Sequence, residues 1–228
     1  MLILVTFALL YSVLMKVKYF TASTIDGVSR EMKALALPYA REKTMHLEAK
    51  NCALLVLDMQ KYFLAEESPA FVPSSQAIVP RINKLIATCQ TNDIPVIYTR
   101  HLNNEKDAGM MGQWWKRLLR KEDEYSELIF ENTPHLIEKS QYDAFYQTRL
   151  DEMLQKTGRN QLILCGVMTN LCCETTLRSA FVRGYECILP IDTTAAYTRQ
   201  MHESSILNLS FGFCPPVMSE EIIKQLEA

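Results

Sequence analysis

The chain has 228 residues, of which 48% are hydrophobic and 22% charged, a balance typical of one globular domain with a sizeable buried core. Its 24 basic and 26 acidic residues leave a formal charge of −2, which argues against nucleic acid or an anionic membrane surface as a partner. The seven cysteines form no CxxC pair, and the four histidines have no paired-ligand spacing, so the pattern predicts no metal site. Reduced thiols favour a cytoplasmic location.

The chain begins with an apolar run at residues 1–14. This run is shorter than the roughly 20 residues that span a bilayer, so we predict no transmembrane helix and no membrane partner. No basic residue precedes it, and Lys16 and Lys18 follow it, which argues against a signal peptide. A signal segment, an extension and translation from Met15 all stay open. We divide the chain into an N-terminal extension and arm at residues 1–35 and one domain at residues 36–228.

From residue 52 onward, short β-branched runs alternate with longer amphipathic stretches, a pattern typical of βαβ units around a parallel sheet. We predict strands at residues 53–57, 95–99, 136–139, 161–166, 186–191 and 216–218. We predict helices at residues 76–91, 148–156, 170–183, 201–211 and 220–227. The sequence therefore predicts an α/β fold with three layers and a doubly wound, mostly parallel, Rossmann-like sheet of about six strands.

Two of the predicted strands run into polar residues at their carboxyl ends, where the ligand crevice of an open α/β sheet lies. The first strand leads into Asp58, which is either a turn residue or a general base. The fourth leads toward Cys172, in the first turn of a helix that Thr169 or Asn170 would cap. The helix dipole there predicts a lowered pKa for the thiol, although unpaired cysteines are most often small buried hydrophobes.

Helical spacing separates Cys172 from its neighbour Cys173. Cys173 shares one helix face with Leu177, Ala180 and Phe181, at positions i, i+4, i+7 and i+8. We therefore predict that this face packs on the sheet and that Cys173 belongs to the core. Cys172 lies about 100° round the helix, toward the loop end where a crevice would open. It is therefore the better candidate nucleophile.

A third candidate is Lys139, which on its own is typical of a solvated surface lysine. A buried ammonium between a carboxylate and a thiol would stabilise the thiolate and an oxyanion, so the three groups together make chemical sense. The segments LLVLDMQKYF, EKSQYDAFYQTRL and LILCGVMTNLCCETTLRSAF resemble the signature segments of isochorismatase-like cysteine hydrolases, in order and approximate spacing. The resemblance implies that Asp58 is the base, Lys139 the catalytic lysine and Cys172 the nucleophile.

The resemblance also implies a cis peptide bond between Val167 and Met168, and an oxyanion hole formed by the backbone N–H groups of Met168 and Cys172. It implies a small-molecule substrate, no cofactor and a homo-oligomer, either a dimer or a tetramer. Asp143 stands where the family commonly has serine, which adds a carboxylate of unassigned role. As substrate-pocket residues we predict Gln60, Phe63, His101, Trp115 and Tyr142.

Two departures from family patterns bear on the reaction. Nicotinamidases of the superfamily bind a metal through Asp-x-His after the second strand, whereas this chain has Thr99, Arg100 and His101, which disfavours nicotinamidase activity. Isochorismatases lack the nucleophilic cysteine, so Cys172 predicts hydrolysis of a C–N bond in a small amide, imide or carbamoyl compound through a thioester. An enol-ether hydrolase that uses Asp58 without covalent chemistry, and a non-catalytic α/β binding protein, stay open.

Overall fold

The computed structural model describes residues 16–42, 44–115 and 117–228. The apolar run at residues 1–14, with the choice between a signal segment, an extension and a later start, lies outside these residues. Across the described ranges, no helix combines the length and the apolar character needed to cross a membrane. All seven cysteines of the sequence are described, and each is buried and free of a disulfide.

The described residues form one sheet of seven parallel strands: β1 (Cys52–Leu57), β2 (Val96–His101), β3 (Leu136–Lys139), β4 (Gln161–Val167), β5 (Glu186–Pro190), β6 (Thr194–Ala195) and β7 (Pro216–Val217). Their order is β3-β2-β1-β4-β5-β7, with β6 beside the end of β4. The predicted α/β fold with a doubly wound parallel sheet is confirmed. The extra strand, β6, has only two residues and is too short to produce a hydrophobic pattern.

The helices are α1 (Ile25–Ala36), α2 (Lys61–Leu64), α3 (Ser75–Thr91), α4 (Met110–Trp115), α5 (Leu150–Lys156), α6 (Glu174–Val182), α7 (Arg199–Gly212) and α8 (Ser219–Leu226). Helices α3 and α8 cover one face of the sheet, and α5, α6 and α7 cover the other, which makes three layers. The predicted ends of α3, α5, α7 and α8 lie within two residues of the observed ones. Helices α1, α2 and α4 were not predicted, and α2 and α4 are too short to show helical periodicity.

The central strands bury both of their faces. In β1, Leu54 and Val56 pack on the side of α3, while Ala53 and Leu55 pack on the side of α6, because successive side chains of a strand point to opposite faces. All six residues of β1 are buried. A continuous apolar run is typical of a parallel strand that helices cover on both sides.

The segment before the sheet packs on the domain. Phe20, Ile25 and Met32 are buried in the core, and α1 lies against α7. The predicted boundary between residues 35 and 36 falls within the last turn of α1. The described part of the N-terminal arm therefore contributes to the core of this chain.

Gly166, near the end of β4, brings the backbones of β1 and β4 close together. Its φ is +116°, and a Cβ at this position would lie 2.0 Å from the carbonyl oxygen of Leu57. We expect Gly166→Ala to lower the free energy of unfolding by about 3–5 kcal/mol, because backbone strain and a backbone clash add together. Urea unfolding of the purified variant measures this.

The matched control is Gly184→Ala. Gly184 also has a positive φ, +90°, but a Cβ there meets no atom within 4 Å. We expect this variant to lose only about 1–2 kcal/mol, from the backbone conformation alone. Equal losses in the two variants would show that the close approach to Leu57 is unimportant.

Candidate functional site

The site lies at the carboxyl edge of the sheet, where the strand order reverses between β1 and β4. Asp58 directly follows β1, and a π-helical turn, Thr169–Cys173, follows β4 and leads into α6. Lys139 is the last residue of β3, which is separated from β1 by β2. Chain segments far apart in sequence therefore meet at this edge.

Asp58 is held in a left-handed backbone conformation, with a φ of +52°, which is uncommon outside glycine and recurs at functional sites. Its backbone N–H donates to Thr99 Oγ1 at 3.1 Å, and the Thr99 hydroxyl donates to Asp58 Oδ1 at 2.6 Å. Both residues are fully buried. Thr99 therefore positions the carboxylate, a role that the sequence analysis did not assign to it.

The three predicted catalytic side chains lie together. Lys139 Nζ is 2.7 Å from Asp58 Oδ2 and 3.4 Å from Cys172 Sγ, and it donates to the carbonyl oxygen of Gln141 at 2.9 Å. The side chains of Lys139 and Asp58 are completely buried. Oδ2 is paired with the Lys139 ammonium and Oδ1 accepts the Thr99 hydroxyl, so both carboxylate oxygens have partners in the resting site. Asp58 is therefore held as a carboxylate beside the thiol.

The helix phase predicted for the two neighbouring cysteines is correct in its main point. Cys172 lines a cavity, whereas Cys173 is fully buried in the core with Leu177 and Ala180. Phe181 was predicted on the buried face, and this is wrong: 46% of its surface is exposed. At this end of α6 the ring packs edge-on against Phe213, with ring centroids 5.0 Å apart, at the surface rather than under the sheet.

The predicted helix cap before Cys172 is also wrong. Met168 occupies the N-cap position, and neither Thr169 nor Asn170 makes a side-chain capping bond, because the chain enters α6 through a π-helical turn. The carbonyl oxygen of Met168 accepts the N–H groups of Leu171 and Cys173 instead. No capped α-helix begins directly before Cys172, and the predicted lowering of the thiol pKa by a helix dipole is wrong, since that pKa is raised.

Burial and neighbouring charges set the protonation states of the three groups. Burial alone would raise the pKa of the Asp58 carboxyl, but the nearby Lys139 ammonium and the other neighbouring groups together outweigh it, and the pKa is lowered. Burial opposes the charge of Lys139 as well, yet its interactions with the Asp58 carboxylate and with Cys172 raise its pKa. Burial and then the Asp58 carboxylate raise the pKa of the Cys172 thiol, which Lys139 only partly offsets. The resting site therefore holds a carboxylate, an ammonium and a protonated thiol.

This protonation pattern predicts the pH dependence of alkylation at Cys172. We expect iodoacetamide to react slowly at pH 7 and about tenfold faster for each pH unit up to pH 9, because the thiolate fraction grows with pH below a raised pKa. Mass spectrometry of peptides locates the label, and Cys172→Ala identifies reaction at the other cysteines. A rate that is already independent of pH near neutrality would indicate a lowered thiol pKa and contradict this picture.

The peptide bond between Val167 and Met168 is cis and carries the chain from β4 into the π-helical turn. Met168 and Cys172 both line the cavity. Their backbone N–H groups are the ones that the sequence analysis predicts for the oxyanion hole, and that role stays a prediction.

A small cavity of about 60 Å³ lies beside Cys172. Four predicted pocket residues line it: Phe63, His101, Trp115 and Tyr142. The Trp115 indole N–H donates to the Tyr142 hydroxyl at 2.7 Å, which joins α4 to the loop after β3. Further lining residues, which were not predicted, come from segments without a periodic pattern, among them Tyr62, Asn103, Arg117, Leu119 and Tyr197.

The prediction that Gln60 belongs to the pocket is wrong. Its side chain is fully buried; Nε2 donates to the carbonyl oxygens of His101 and Ser126, and Oε1 accepts the N–H of His101. The turn after Asp58 directs this side chain into the protein. Gln60 therefore fixes the backbone at the end of β2.

Asp143, to which the sequence gives no role, makes structural hydrogen bonds. Its Oδ1 accepts the backbone N–H of Phe145 at 2.8 Å, and its Oδ2 accepts the hydroxyl of Ser179 on α6 at 2.7 Å. The carboxylate thus ties the loop after β3 to α6.

The donor set does not fit the metal that the superfamily's nicotinamidases carry. Thr99 replaces the acidic ligand and donates its hydroxyl to Asp58. His101 Nε2 is paired with Asn103 Oδ1 at 2.7 Å. Within residues 16–42, 44–115 and 117–228, no group of three or more His, Cys, Asp or Glu side chains could hold a metal ion.

Several known proteins are similar to this chain in sequence and fold. A family model for the isochorismatase domain matches residues 52–221. Nicotinamidase 3 from Arabidopsis thaliana is 36% identical over 186 residues, which cover 78% of this chain and 90% of that protein. A cysteine hydrolase from Pseudomonas syringae pv. phaseolicola 1448A has a TM-score of 0.78 at 27% identity, over 81% of this chain and 96% of that one. N-carbamoylsarcosine amidase from Thermoplasma acidophilum has a TM-score of 0.66 at 26% identity, over 75% and 97% of the two chains.

Proposed function

This chain belongs to the isochorismatase family of hydrolases, and from that premise we propose that it cleaves a C–N bond of a small amide, imide or carbamoyl compound by cysteine catalysis. The observation that carries the proposal is the buried Lys139 ammonium, 2.7 Å from the Asp58 carboxylate and 3.4 Å from the Cys172 sulfur. A nucleophile, a base and a group that holds both in place are thus in contact.

The first half of the reaction forms a thioester. Cys172 Sγ attacks the substrate carbonyl carbon while its proton passes to Asp58, the one group of the three that is held as an ionised carboxylate and can take it. The carbonyl oxygen becomes an oxyanion, for which the backbone N–H groups of Met168 and Cys172 are the donors. Asp58 then gives the proton to the amide nitrogen, and the C–N bond breaks.

The second half releases the acid. A water molecule that enters the cavity transfers a proton to Asp58 as it attacks the thioester carbon, and the C–S bond breaks. The sulfur recovers the proton from Asp58, which restores the resting site. Lys139 keeps its positive charge throughout, because its raised pKa lies far above neutrality. No step of this proposed cycle uses a cofactor.

The cavity supports a small, flat substrate. Its volume is about 60 Å³, and aromatic side chains line it: Tyr62, Phe63, Trp115, Tyr142 and Tyr197. Aromatic rings and amide planes pack face to face and edge to face at such positions. Nicotinamide is a test substrate because a relative at 36% identity carries the name nicotinamidase, although the missing metal ligand argues against it.

A turnover screen tests the proposal. The compounds are nicotinamide, benzamide, N-carbamoylglycine, succinimide and isochorismate, and the intact mass of acid-quenched protein reports an acyl adduct. We expect C–N hydrolysis with an adduct on Cys172. Turnover of isochorismate that survives Cys172→Ala would favour the enol-ether hydrolase, and no turnover of any compound class would favour a binding protein.

A further inference from the structure

His101 is rigidly placed beside the candidate nucleophile. It ends β2, is only 6% exposed and lines the cavity with Cys172. Its backbone N–H donates to Gln60 Oε1 at 2.8 Å, and its carbonyl oxygen accepts from Gln60 Nε2 at 3.0 Å. Two hydrogen bonds from Gln60 thus fix the backbone of His101, and a side chain on a fixed backbone is suited to hold a ligand in one orientation.

The hydrogen bonds around Asn103 determine which nitrogen of His101 carries the proton. Asn103 Nδ2 donates to the carbonyl oxygen of Ser140 at 2.7 Å, and a carbonyl can only accept. The other amide atom, Oδ1, therefore faces His101 Nε2, 2.7 Å away. Because Oδ1 can only accept, Nε2 must carry the hydrogen, which leaves Nδ1 as a bare acceptor.

None of the described residues donates a hydrogen bond to His101 Nδ1, although the atom is buried. The contacts of the neighbouring Lys139 ammonium go to Asp58, Gln141 and Cys172. Burial, followed by repulsion from Lys139, lowers the pKa of His101 to about 4, so the ring is neutral at pH 7. Buried acceptors are nearly always hydrogen-bonded, so the unpaired Nδ1 indicates that a bound ligand supplies the donor.

We propose that His101 Nδ1 accepts a hydrogen bond from the amide nitrogen of the substrate and so selects amides over esters of the same acid. The inference rests on the proposed function. A primary amide or carbamoyl group has two N–H donors, one for Asp58, which later protonates this nitrogen, and one for His101. An ester oxygen at the same point has only lone pairs and would leave Nδ1 unsatisfied, and sites built to bind a substrate N–H reject analogues without one.

The test compares kcat/KM for an amide with kcat/KM for the methyl ester of the same acid. The probe pairs are nicotinamide with methyl nicotinate and benzamide with methyl benzoate, and any other amide that the screen shows to be turned over is paired in the same way. We expect His101→Phe to lower the amide-to-ester ratio at least tenfold relative to the wild type. His101→Asn, whose side-chain oxygen can occupy the position of Nδ1, should restore part of that ratio.

A purely structural role for His101 would lower both rates equally and leave the ratio unchanged, and that result would overturn the inference. If His101→Phe does not fold, Asn103→Leu serves instead, because it keeps the imidazole but removes the partner that holds the proton on Nε2. An unchanged ratio in that variant would count equally against it. A wild type that turns over no amide, imide or carbamoyl compound refutes the proposed function itself, whereas amide turnover with an unchanged ratio refutes only the role of His101.

Discussion

Replacing Cys172 with alanine should lower kcat/KM on any amide substrate by about 10⁴-fold or more, the loss seen when a covalent nucleophile is removed. The thiol lies 3.4 Å from Lys139 Nζ, and the variant deletes the atom that would form the thioester. The ion pair between Lys139 and Asp58 stays in place, so the thermal midpoint should change little. Turnover and thermal unfolding of the same preparation measure both effects.

Cys173→Ala is the matched control, since it removes the same atom one residue along the chain. Cys173 is fully buried and packs with Leu177 in the core. We expect a loss of about 1 kcal/mol in the free energy of unfolding, from transfer and cavity terms, with most activity retained. An inactive Cys173→Ala protein beside an active Cys172→Ala protein would refute both the nucleophile assignment and the helix phase.

The residues at the reversal of strand order were predictable from local patterns. Buried parallel strands give continuous apolar runs, so the ends of β1 and β4 could be located, and with them Asp58 and the turn that carries Cys172. The 3.6-residue period then separated Cys172 from Cys173. These inferences needed only residues that are close together in the chain.

Lys139 shows where local reasoning ends. A lysine is usually solvated, and only the order of the strands, which places β3 next to β2, buries this side chain against Asp58. The resemblance to a family, rather than the residues themselves, pointed to it. Gln60 was misplaced for a related reason: the left-handed backbone of Asp58 determines which way the following residues face, and no pattern reveals it.

The buried pair of Asp58 and Lys139 should be needed for stability as well as for activity. Asp58→Asn leaves the Lys139 ammonium buried without a counter-charge, and Lys139→Met does the same to the carboxylate. We expect each variant to lose about 3–5 kcal/mol in the free energy of unfolding and to be inactive. The double variant, Asp58→Asn with Lys139→Met, should recover much of the stability but none of the activity, because it removes both charges together.

Urea unfolding of the four proteins, with kcat/KM on the same amide, separates the two roles of the pair. The pKa of Asp58 is lower in the folded than in the unfolded chain, so its contribution to stability is present above the ordinary carboxyl pKa of about 4. That contribution is lost as the pH falls through the lower folded-state pKa, and the double variant should lack this acid-induced step. If the stability losses of the two single variants simply added in the double variant, the two charges would not be coupled, and Lys139 could not be the group that keeps Asp58 ionised.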